Sequence, residues 1–183
     1  DQILLHCDLE RLLPETDPYS RQIMMSHGTF LELLDMAARE RGYRTEITLF
    51  PEGAFGAQQL DDRPVARVRL RPDAAVVRDP LFVQVLKRHT NRSAYDLARP
   101  VPAEAWQAMG AAVQPRELRF GFAGVEQPEA LAQQRAVAAE AWRIEMVTPR
   151  TIMESYKVLR VGADEVARHR DGLTLMDPLV VLL

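Results

Sequence analysis

The chain has 183 residues, of which 47% are hydrophobic and 27% charged, with 9 glycines and 12 prolines. Such a composition supports a substantial core and excludes collagen-like, low-complexity and largely disordered classes. Lysine and arginine total 23 against 26 acidic residues, a net charge of −3, so no overall positive field exists to hold nucleic acid or anionic lipid, and neither is expected as a partner.

The chain passes at once from Asp1 into Ile3-Leu4-Leu5 and finishes on the apolar residues 178–183. Apolar runs normally sit inside elements, so the sequence reads as a piece of something longer. No apolar run approaches the roughly 18 residues of a membrane span, and no export signal opens the chain. The single cysteine, Cys7, excludes an intramolecular disulfide framework and a cysteine-based zinc cluster. Next to His6 on an apparent strand, it reads as a small buried hydrophobe.

After Asp17-Pro18 a helix is expected, with Ser20 as its N-cap. Phe30, Leu33, Leu34, Ala37 and Ala38 form its inner stripe, and Glu32, Asp35, Arg39 and Glu40 fall on the other side. Gly42 closes it. Residues 45–50 alternate as a strand ended by Pro51-Glu52-Gly53. Residues 65–70 alternate apolar with basic and predict a second strand, antiparallel to the first, with one face in water. Asp79-Pro80 predicts a short helix over 81–88, followed by an irregular stretch to Val101. Pro102 starts a further helix with Ala105, Trp106, Met109, Ala112 and Val113 inward. Residues 118–122 alternate as a strand, Pro128 opens a long Ala-rich helix to about Met146, and Pro149 breaks it. Helices over 151–159 and 163–169 and a turn at Asp171-Gly172 complete the pass. The order is neither regular βαβ nor all-α, and the expected class is α+β.

The tract Lys87-Arg88-His89-Thr90-Asn91-Arg92 carries the most chemistry. On an extended segment Arg88, Thr90 and Arg92 point to one side, where two planar guanidinium forks and a hydroxyl suit a phosphate. The same residues also suit a basic helix C-terminus answering the helix dipole. Ser26 and Gly28 fit either a place beside a cofactor or an N-cap and a packing glycine. Glu145 is expected to pair with a neighbouring arginine. His169 and Asp171 accompany no recognisable nucleophile motif, so no triad is assigned and no catalytic residue is named. The four histidines and one cysteine show no metal-ligand spacing, and no metal site is expected.

Residues 86–112, with Lys87-Arg88-His89-Thr90-Asn91-Arg92, the aromatic Tyr95, and Pro100-Val101-Pro102 before a helix, resemble the opening of the FMN-dependent nitroreductase family. That family begins with Arg-x-Ser-x-Arg/Lys, an aromatic-Asp step and a Val-Pro-x-Glu helix start. Asp17-Pro18-x-x-Arg21, Ser26-x-Gly28, the helix ending at Gly42, Leu49-Phe50-Pro51-x-Gly53, Pro149-Arg150-Thr151 and Arg170-Asp171-Gly172-Leu173 are similar to the Acg-type branch, in which two nitroreductase-like halves are fused. The resemblance implies a nitroreductase-like fold, an antiparallel-rich sheet flanked by helices. It makes residues 1–75 the tail of the first half and 79–183 the start of the second. It implies FMN as cofactor, its phosphate and ribityl chain held by Arg88, His89, Thr90 and Arg92, with Ser26 and Gly28 nearby. NAD(P)H would be the electron donor and a nitro or quinone-type small molecule the acceptor. The family's Ser-x-x-Asn-x-Gln-Pro-Trp flavin loop does not follow Ala112. In the fused branch it lies in the first half, so this chain would pair with the missing half or a second copy. A non-catalytic, flavin-sequestering protein is the alternative within the branch. Members act in the bacterial cytoplasm or, behind a twin-arginine signal, in the periplasm.

Overall fold

Alternation along residues 66–72 builds the centre of the fold. In the computed structural model, which describes residues 2–56, 59–90, 94–96, 98–114, 118–169 and 171–175, the strand β1 (Gln2–Leu5) and the hairpin-like pair β2 (Tyr43–Leu49) and β3 (Ala66–Pro72) form one antiparallel sheet. Its order is β1-β3-β2. The register sets Ile3 and Ile47 opposite Val68, and Leu5 and Leu49 opposite Ala66. Directly opposed residues share a face, so one side of the sheet is aliphatic. The helix α1 (Arg21–Glu40) covers that side: Leu31, Ala66 and Val68 are the buried core, with Ile3, Leu5, Leu34 and Leu70 packed around them. The expected antiparallel strand pair is present, and the apparent strand near the start of the chain is β1, which ends before His6 and Cys7 and joins the pair as a third strand.

The inward stripe of α1 differs from the one its periodicity suggests. Leu31, Asp35, Met36 and Ala38 are buried, while Phe30 and Leu33 are 47% and 45% exposed. Apolar residues on both sides of the stripe leave its centre undetermined, and the buried position of Asp35 selects it. The Asp35 carboxylate accepts the Thr45 hydroxyl from β2 and pairs with Arg39 at 2.7 Å, so its burial is compensated. The cap also shifts. Ser20 lies in the left-handed region at φ 53° and makes no side-chain cap bond. Asp17 accepts instead from the amides of Arg21, Gln22 and Ile23 at 2.8, 3.0 and 3.0 Å, satisfying three donors that a helix start leaves open. Gly42, at φ +76°, closes the other end as expected. Cys7 lies just past β1 and is buried; burial, and then the charge of Asp8, push its thiol up from the ordinary value.

Residues 1–89 and 150–183 cluster as one unit and residues 90–149 as another. Completing the first unit are α4 (Pro149–Lys157), the strand β4 (Leu159–Val161), α5 (Ala163–Arg168) and the strand β5 (Leu173–Leu175), with β4 and β5 parallel. Strands of three residues are too short to announce themselves by alternation, so the expected helix over 151–159 is cut short. The helix expected over 81–88 reduces to a 3-10 turn, Phe82–Gln84. So short a segment lacks the buried contacts that offset the cost of nucleating a helix, and Leu86 is 98% exposed.

In the second unit α2 (Ala103–Val113) and α3 (Pro128–Val147) form where expected. Residues 118–122 do not form a strand. Alternation needs a partner ladder to become a sheet. Here Phe122 stacks on Trp106 instead, with ring centroids 4.5 Å apart and planes 1° from parallel. Among the described residues, no helix is long and apolar enough to cross a membrane.

Candidate functional site

The basic tract leaves the 3-10 turn as the chain straightens. The amides of Lys87 and Arg88 both donate to the Gln84 carbonyl, at 3.0 and 2.9 Å, and close the turn. Arg88, His89 and Thr90 follow, all exposed. His89 Nδ1 lies 3.3 Å from the Lys87 carbonyl. Arg92 and Asn91 lie outside the described residues. Because no α-helix runs into the tract, there is no helix dipole for Lys87, Arg88 and His89 to answer. Among the described residues Arg88 makes no ion pair, which leaves its guanidinium open to an anion.

Ser26 and Gly28 lie inside α1, not at its start. The Ser26 hydroxyl donates to the Gln22 carbonyl at 3.1 Å, and the capping role belongs to Asp17. Nothing lies within 4 Å of where a Gly28 Cβ would be, so this glycine serves no close packing. Both residues are exposed, and α1 lies against the Phe82–Gln84 turn that leads into the tract. No hydrogen bond or ion pair among the described residues joins Ser26 or Gly28 to Arg88, His89 or Thr90.

A larger concavity, about 710 Å³, opens elsewhere in the first unit. Leu12, Leu13, Pro14, Val158 and Leu173 give it an apolar lining, with Lys157 and Arg11 among its charged residues. Two polar clusters hold its walls. Glu154 of α4 is buried, and its carboxylate accepts from the Glu15 amide at 3.2 Å and from the Thr16 amide and hydroxyl at 2.8 Å each. Asp171 accepts from Arg11 Nη1 at 2.5 Å and from Arg160 Nη2 at 3.2 Å. The hydrogen bond from Arg160, and then that from Arg11, hold the Asp171 carboxyl below its ordinary value despite an opposing desolvation effect. Gly172, at φ +82°, completes the expected turn; a Cβ there would stand 2.2 Å from the Val158 carbonyl oxygen. Glu154 meets Glu15 and Thr16 from 139 and 138 positions away, and Asp171 meets Arg11 from 160 positions away, separations that leave no mark in local pattern.

A smaller concavity of about 280 Å³ lies by the start of α1, lined chiefly by Tyr19, Met24, Phe50, Phe55 and Leu60. Phe50 and Phe55 meet edge to face at 5.7 Å, and Arg63 stands over the Phe55 ring at 5.0 Å. Among the described residues, no group of three histidine, cysteine, aspartate or glutamate side chains is placed to hold a metal ion. Among the described residues His169 approaches Glu165 at 4.0 Å and no third member of a triad.

The arrangement offers open cationic and hydroxyl donors at Arg88 and Thr90, and an apolar concavity with charged walls. No protein-family model, curated protein or solved structure matches the chain.

Proposed function

We propose that the chain is part of an FMN-dependent NAD(P)H oxidoreductase of the nitroreductase-like superfamily, Acg-type branch, acting on nitro or quinone-type acceptors. The observation that carries the reading is the spacing Arg88-x-Thr90-x-Arg92 on a segment whose described members are exposed, with no carboxylate among the described residues competing for Arg88. That donor set fits a phosphate monoester: two guanidinium forks can share its three terminal oxygens and the Thr90 hydroxyl adds a further hydrogen bond. Arg88, His89, Thr90 and Arg92 would hold the phosphate end of FMN, with Ser26 and Gly28 on α1 as the further candidate contacts. Bound FMN would supply the hydride chemistry, and the chain's own residues binding and orientation. The contacts to the ring would come from the other nitroreductase-like half or from a second copy of the chain. Within this reading residues 1–75 and 79–183 belong to successive halves.

The test is the visible spectrum of the purified full-length protein and of its Arg88→Ala/Arg92→Ala variant. The expected outcome is flavin absorbance in the parent and at least about a tenfold loss of bound FMN in the variant, as expected when two charge-assisted contacts are removed. Equal flavin content in the two would remove the assignment. Oxidation of NADH or NADPH with a nitroaromatic acceptor then separates turnover from flavin sequestration, since a sequestering protein would be reduced by dithionite alone.

A further inference from the structure

The two faces of the antiparallel sheet differ in charge. Ala66, Val68 and Leu70 turn toward α1, so Arg67, Arg69 and Arg71, at alternate positions of β3, turn away from it. The register places Arg44 opposite Arg71, Glu46 opposite Arg69 and Thr48 opposite Arg67 on one flank, with Gln2 and Leu4 on the other. All of these are exposed except Arg67, which is half-buried. The face thus holds four arginines and one carboxylate. Glu46 pairs with Arg71 at 3.3 Å, and Arg44 reaches Asp73 at 3.9 Å. Arg67 and Arg69 make no ion pair among the described residues. Like charges directly across an antiparallel pair repel, and Arg44 opposite Arg71 is such a pair. In a chain of net charge −3 this is a concentrated positive strip, neutralised only in part and open at Arg67 and Arg69.

We infer that this face is a docking surface for an extended acidic protein segment, with carboxylates at alternate residues lying over Arg67 and Arg69. Side chains at alternate positions of any extended chain repeat every 6.6–6.8 Å or so, so such a segment matches the arginine spacing in step. Each guanidinium takes one carboxylate through paired N–H donors. β3 is the central strand and has no free edge, so recognition runs through side chains on the face and not by strand addition. Leu4, 47% exposed and opposite Arg67, adds an apolar contact. The face carries no aromatic side chain on which bases could stack, which favours an acidic protein segment over single-stranded nucleic acid. This surface is separate from the Arg88 tract and does not depend on the flavin reading.

The experiment titrates the intact protein into a fluorescently labelled peptide of alternating glutamate and serine, followed by anisotropy. Expected results are saturable binding, at least about tenfold weaker in Arg67→Gln/Arg69→Gln, weakened also by raising salt from about 0.05 to about 0.5 M. Thr48→Lys, which adds a cation to the same face, is expected to tighten binding and keeps the inference testable if the double variant does not fold. Absence of binding, equal affinity in the folded double variant, or no tightening by Thr48→Lys would each overturn it. Tighter binding of a single-stranded oligonucleotide or an anionic vesicle that depends on Arg67 and Arg69 would also overturn it in favour of that partner.

Discussion

α1 and α3 are both 20 residues long, yet α1 buries Leu31, Asp35, Met36 and Ala38 while none of α3's residues is buried. α1 docks on the aliphatic face of an antiparallel sheet, and its position is fixed by side-chain packing and by the Asp35–Thr45 contact. The continuity of α3 comes from elsewhere. Its Ala-rich sequence favours helix by propensity, Pro128 suits its first turn, and Arg143 pairs with Glu140 at 2.6 Å on its exposed surface. Val137 and Trp142 remain 62% and 66% exposed. One helix is therefore held by tertiary burial and the other by local preference, and the two should respond differently to truncation.

The largest expected effect is at the first. Leu31→Ala should destabilise by about 2–5 kcal/mol, the usual result of emptying a core site, whereas Trp142→Ala should change stability by less than about 0.5 kcal/mol. Urea unfolding of both variants measures the contrast; an equally large loss at Trp142 would mean that a partner surface covers α3. A middle effect is expected where α4 meets the segment before α1. Glu154→Ala leaves the amides of Glu15 and Thr16 without their acceptor and should cost about 1–3 kcal/mol, read as a lower urea midpoint and faster exchange of those two amides. The smallest effect concerns Asp171. Its carboxyl is held below the ordinary value by Arg160 and Arg11. Its contribution is therefore fully present above the unfolded value of about 3.9 and lost as pH falls through the depressed folded value. Carboxyl carbon chemical shifts followed against pH should place the Asp171 midpoint below that of an exposed aspartate, and Arg160→Gln should move it back up.

Much of the secondary structure is legible along the chain. The α1 span, the Gly42 stop, the paired β2 and β3, and the Pro128 start of α3 all follow from residues within a few positions of one another. The errors have a common cause. Residues 118–122 alternate like a strand but meet the Trp106 ring and no ladder. Residues 81–88 look like a helix start yet gain too little burial to extend one. Ser20 is the better cap by position, but Asp17 reaches three amides because the chain turns back before α1. At the candidate site, the Arg88-x-Thr90 spacing is read directly from the sequence. That no α-helix runs into it emerges only from the structure. The contacts of Glu154 with Glu15 and Thr16, and of Arg11 with Asp171, carry no local signal at all, since the partners lie in distant parts of the chain.

The sequence by itself determined that the longer periodic segments are helical, where most of them stop, and that 45–50 and 65–70 are extended, because periodicity, prolines and glycines act over one or two turns of chain. Tertiary structure alone decided which stripe of α1 faces inward, which carboxylate caps it, how Glu154 holds residues 15 and 16, and that Arg44 stands across from Arg71 on one uncovered face. Those outcomes depend on register and on contacts between residues far apart in sequence, where the energy comes from a partner that no local pattern names.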